Sequence, residues 1–111
     1  MPGAPILGEF EQLVLLALLR LGRDAYGASV SLEIEQQSGR VVSVSAVHTT
    51  LDRLEVKGFV KSRLGDPSPQ RGGKRKRHYV VLPSGLRALQ ASVRAFRRMT
   101  DGLEDLFGES T

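Results

Sequence analysis

From Pro83 onward, Leu86, Leu89, Val93, Phe96, Thr100, Leu103 and Phe107 recur at spacings of 3, 4, 3, 4, 3 and 4. This is a heptad seam, apolar except at Thr100, and Pro83 suits the first position of a helix. A helix from Pro83 to Phe107 would be roughly 37 Å long, longer than the width of a body built from 111 residues. Gly102 weakens it near its end, by about 1 kcal/mol relative to Ala. Its first turns, through Leu86, Leu89 and Val93, can close a core within the chain. Phe96, Leu103 and Phe107 would then be large apolar groups in water. The far half therefore needs a partner, and the simplest partner is a second copy of the chain.

The rest of the chain is the size of one ordinary domain. Between Glu9 and Leu21, apolar residues at 10, 13, 14, 17 and 21 share one helical face, while Leu15, Leu16, Leu18 and Leu19 fill the others. A helix apolar nearly all round must be covered on more than one side. Tyr26, Val30 and Ile34 stand at fourfold spacing in a second helix, Tyr26 to Ser38, stopped by Gly39. Ser43 is an N-cap for a third, Val44 to Lys57, with 44, 47, 51 and 54 on its apolar side and Gly58 at its end. Ser45, His48, Thr49 and Asp52 fall on the opposite side.

Two alternating segments, Phe59 to Leu64 and Arg77 to Leu82, read as strands flanking a loop from Gly65 to Lys76 rich in Gly, Pro and cations. Positive charge is concentrated here. Residues 57–79 carry eight Lys/Arg against one acid, Asp66, so the net +4 of the chain is +7 in this stretch and −3 elsewhere. Such localisation suits a polyanion, because each cation placed on a phosphate releases a condensed counterion.

Three helices, the third polar on its outer face, followed by a ribbon with a basic tip, is the order of a winged helix-turn-helix. The expected fold is thus mainly α with a small β-hairpin (α+β). Residues 1–82 would form the DNA-binding unit and 83–111 the C-terminal dimerisation helix, within one structural unit. The expected partner is double-stranded DNA, and a two-fold dimer predicts a pseudo-palindromic site. Ser45, His48 and Thr49 would reach base edges or phosphates, Arg53 a phosphate, and Arg71, Lys74, Arg75, Lys76 and Arg77 the backbone or minor groove. Asp52 repels phosphate unless it pairs with Lys57 or Arg53 or accepts from a cytosine amino group.

Other classes fit poorly. With no Cys and two His, neither a metal centre nor a cofactor is expected. No Ser/His/Asp motif or P-loop is present, so no enzyme is expected. The longest apolar run, Leu13 to Leu19, has seven residues where a membrane span needs about 20. Met1 to Gly8 has no signal-peptide pattern, and a cytoplasmic location is expected. A winged helix that binds RNA or another protein is the rival reading, since the fold does not fix the function.

The segments LGEFEQLVLLALLRLG, DAYGASV and, above all, TTLDRLE, KGFV, SRLG and RGGKRKR resemble the PadR family of bacterial transcriptional regulators in its short form. The resemblance implies a homodimeric repressor whose terminal helix packs on the partner's first helix. That puts Leu15, Leu19, Leu89, Val93, Phe96, Leu103 and Phe107 at the dimer interface. It further implies release from DNA by a small aromatic or drug-like effector bound near that interface, which no residue here identifies. His48 stands where the family usually has a tyrosine, and His78 where it commonly has an aromatic. A protonated His48 would donate more strongly to phosphate, so binding is expected to be pH-sensitive.

Overall fold

The computed structural model describes residues 6–67 and 75–108. Its elements run α1 (Glu9–Leu21), a 3-10 turn (Gly22–Asp24), α2 (Gly27–Ser38), α3 (Val44–Val56), β1 (Val60–Pro67), β2 (Arg75–Val81), α4 (Pro83–Thr100) and α5 (Glu104–Phe107). Val14, Leu15 and Leu18 of α1, Val30 and Ile34 of α2, and Val47, Leu51 and Leu54 of α3 form one core with Phe59, Val60, Tyr79, Ala88 and Leu89. This is the winged helix that the helix periodicities predict. α1 is central: α2, α3, β2 and α4 all pack on it.

Local chemistry sets the helix ends. The Ser43 hydroxyl accepts from the Ala46 amide at 3.0 Å and starts α3. Tyr26 caps α2 instead of opening it, because its backbone is extended and makes an isolated bridge to His78 of β2. Glu11 accepts from the Gly8 amide at 2.9 Å at the start of α1. Its other oxygen takes the Lys57 ammonium at 2.7 Å, tying α1 to the end of α3. Burial pushes the Glu11 carboxyl up, but Lys57 and the Gly8 N–H outweigh it and the net shift is down.

The hairpin is longer than the alternation predicts. Val60 pairs with Val81, Ser62 with Tyr79, Leu64 with Arg77, and, beyond a bulge, Pro67 with Arg75. The Arg75 Nε donates to the Gly65 carbonyl at 2.7 Å and holds the strands together past that bulge. The expected loop of Gly65 to Lys76 therefore contracts from both sides.

The terminal helix departs most from expectation. Gly85, Ala88 and Leu89 are buried in the body, and a Cβ at Gly85 would overlap the Phe59 carbonyl oxygen. α4 then stops at Thr100 instead of continuing to Phe107. Asp101 is extended, and Gly102 takes φ +86°, a left-handed conformation that costs a side-chain-bearing residue about 1–2 kcal/mol. The Glu104 carboxylate accepts the Gly102 amide at 2.9 Å in place of a helical bond. α5 is thus a separate turn of helix.

The interface residues expected from the sequence divide between two surroundings. Leu15 and Leu89 are buried in the protomer's own core, so their surface is already used, and Val93 packs against it. Leu19 is exposed, as is Leu103, with Phe96 at 66% and Phe107 at 58%, joined by Met99 at 76% and Leu106 at 80%.

Candidate nucleic-acid interface

α3 presents the face its sequence predicts except at Val44, which the spacing puts on the apolar side and which is exposed. Val47, Thr50, Leu51 and Leu54 are buried, while Ser45, Ala46, His48, Thr49, Asp52 and Arg53 are exposed. Ala46 was not among the sequence-derived candidates; its small side chain between Ser45 and the reading residues removes bulk where the helix would approach a groove. The Thr49 hydroxyl donates to the Ser45 carbonyl one turn back, at 3.1 Å. What it offers outward is an acceptor oxygen and a methyl group, matched to an adenine or cytosine amino group or to a thymine methyl.

The His48 ring leans on the start of α2: a Cβ at Gly27 would stand 2.5 Å from its Nε2. A side chain at position 27 would make the ring swing away. Sequence reasoning gave Gly27 no role, because the contact joins residues 21 apart in the chain.

The cations of the ribbon take different places. The Arg77 guanidinium donates to the Ser62 hydroxyl at 3.1 Å, and Ser62 donates its own amide and hydroxyl to Glu55 of α3 at 3.2 and 2.9 Å. Arg77 is thereby held on the side of α3. Lys76 lies on the opposite face of the strand, its ammonium 3.8 Å from the centre of the Tyr26 ring, a cation–π contact. Arg75 is tied to the backbone of β1. Arg71 and Lys74 lie outside the described residues. Tyr26 is a supporting residue that helical spacing alone assigned to the second helix. The edge of its ring also meets His78, with centroids 5.6 Å apart.

One member of the basic stretch needs a different reading. Lys57 is committed to Glu11, so it does not neutralise Asp52. Asp52 makes no ion pair among the described residues, and its charge falls on Tyr79. Burial first, and then Asp52, push the Tyr79 phenol up. Arg53 is exposed at the far end of this face of α3.

Among the described residues there is no cluster that could hold a metal, and no helix is long and apolar enough to cross a membrane. The arrangement offers an almost neutral helix face bearing short hydrogen-bonding groups, flanked by a cationic ribbon.

The profile of the transcriptional regulator PadR-like family matches residues 15–91. Among solved structures, the chain is similar to a PadR family transcription regulator from Clostridium difficile, at 20% identity over 92% of this chain and 100% of that one, with a TM-score of 0.68. A PadR family regulator from Eggerthella lenta shares 25% identity over 92% of this chain and 88% of that one, with a TM-score of 0.66. A PadR-like regulator from Bacillus cereus shares 17% identity over 91% and 93% of the two chains, with a TM-score of 0.70. No curated protein matches the sequence.

Proposed function

The chain belongs to the PadR-like family of transcriptional regulators, and we propose that it is a homodimeric repressor that reads a pseudo-palindromic operator and leaves it when a small effector binds. The family is one of regulators, not of enzymes. One observation carries the DNA reading: the exposed face of Ser45, His48 and Thr49 beside a ribbon whose Arg77 is braced toward the same helix through Ser62 and Glu55. In this reading α3 enters the major groove, and Ser45, His48 and Thr49 contact bases or phosphates. Arg53 meets a phosphate. The ribbon, with Arg71, Lys74, Arg75, Lys76 and Arg77, lies on the neighbouring backbone or minor groove.

The dimer is supported by the tail. Phe96, Met99, Leu103, Leu106 and Phe107 are exposed together, which water penalises. Leu16 and Leu19 on α1 are also exposed and border a groove of about 400 Å³ between α1 and α2. A partner's tail laid on that groove would cover both sets.

Selection of bound fragments from the source genome would give the operator and its symmetry. On that operator, Lys76→Ala should weaken binding to all sequences alike and lower the salt slope by about 1. Thr49→Ala should instead change the preference between operator variants. Equal effects of the two substitutions on preference would defeat this division of roles.

A further inference from the structure

Asp52 is exposed on α3, and the DNA reading leaves its chemistry unused. Around the helix axis it falls about 20° from Ser45, about 40° from His48 and about 60° from Thr49. It therefore stands inside the arc that those three span, not at its edge, and a groove that meets them also meets Asp52. The aspartate side chain is too short to carry its charge out of that arc, as a longer charged side chain can.

The neighbouring cations are engaged elsewhere or stand apart. Lys57 holds Glu11 at 2.7 Å, and Arg77 donates to Ser62 at 3.1 Å. Arg53 is exposed and in no ion pair among the described residues. The helix neighbours also turn away: the Thr49 hydroxyl donates back to the Ser45 carbonyl at 3.1 Å, and the His48 ring leans toward Gly27. The charge of Asp52 thus meets whatever α3 meets.

An anionic group brought unpaired among phosphates opposes binding. A carboxylate can only accept, and the donors in the major groove are the amino groups of cytosine and adenine. Guanine and thymine offer acceptors there, and adenine sets its acceptor N7 beside its amino group. Cytosine alone offers a donor with no acceptor of its own on that edge.

We propose that Asp52 is a specificity-determining residue that accepts from the amino group of a cytosine in the contacted half-site, and that it acts chiefly by rejecting the other three bases. The proposal rests on the DNA reading above and adds to it the base that this helix face demands. An acid in this place lowers affinity for every sequence without the matching cytosine, so it adds selectivity at the expense of general affinity.

The test is selection from a random duplex library with the full chain and two variants, Asp52→Ala and Asp52→Asn. Wild type should enrich sites with a position fixed as cytosine, and in both variants the preference at that position should fall about tenfold while the rest of the site stays the same. Exchanging that cytosine·guanine pair for thymine·adenine should weaken wild type about tenfold and Asp52→Ala by less than about twofold. Both variants should bind duplexes of random sequence more tightly than wild type, which also shows that they are folded. Variants that select the same site as wild type, or that lose affinity for every duplex alike, would overturn the role of Asp52 and leave the DNA reading standing. A wild type that prefers no duplex sequence would overturn both.

Discussion

The body of the molecule and the far half of its last helix are built from similar residues and treat them in opposite ways. In the body, Leu15, Leu51 and Leu54 have no exposure at all. Beyond Val93, the aromatic and aliphatic residues of α4 and α5 lie in water. One heptad pattern runs through both, and it divides at Val93: Leu89 belongs to the protomer's own core, Phe96 to nothing within the protomer. Periodicity thus states that a surface must be covered. It does not state which molecule covers it.

Substitutions can break or sharpen that contrast. The largest effect is expected at Leu51: replacement by Ala should cost about 2–5 kcal/mol in urea unfolding, while Phe96→Ala measured at the lowest protein concentrations should stay within about 0.5 kcal/mol of wild type. Similar losses at both positions would erase the distinction. Next, Gly85→Ala should cost about 1–3 kcal/mol, because its methyl group meets a backbone carbonyl that cannot rotate away. A neutral result would mean that α4 is not seated in the body. Phe96→Glu should leave the fold intact, yield monomers in sedimentation velocity and remove the concentration dependence of the unfolding midpoint. A persistent dimer would place the shared surface elsewhere.

A modest effect is expected at the lock between α1 and α3. Lys57 is partly exposed, so Glu11→Gln should cost only about 1 kcal/mol. Because the folded Glu11 carboxyl lies below its ordinary range, its contribution is complete above the unfolded value, near pH 4 to 5, and disappears as pH falls through the folded value. The difference between wild type and variant should accordingly shrink toward acid pH. A gap independent of pH would show that the carboxylate charge is not what matters.

Most of the fold could be read from residue order. Apolar positions three and four apart gave α1 to α3, and Ser43 and Gly39 marked helix boundaries because their chemistry acts within one turn. Three things were out of reach for the same reason. The extension of the hairpin depends on a cross-strand bond from Arg75 to Gly65. The end of α4 depends on Glu104 capturing an amide that a helix would otherwise use. The commitment of Lys57 depends on a carboxylate 46 residues away. Each is decided by a partner distant in sequence or by a choice between near-equal backbone states. In the candidate interface, the exposed positions of α3 were legible for the same local reasons that made the helix legible. Gly27 and Tyr26 were not, since their roles exist only once α2 lies against α3 and β2.

In the proposed reading, the contact between Gly27 and the His48 ring ties target choice to two helices. A side chain exchanged at position 48 alone would still stand against the start of α2, where Gly27 gives it room. A library that varies positions 27 and 48 together would test whether the two set the preference jointly.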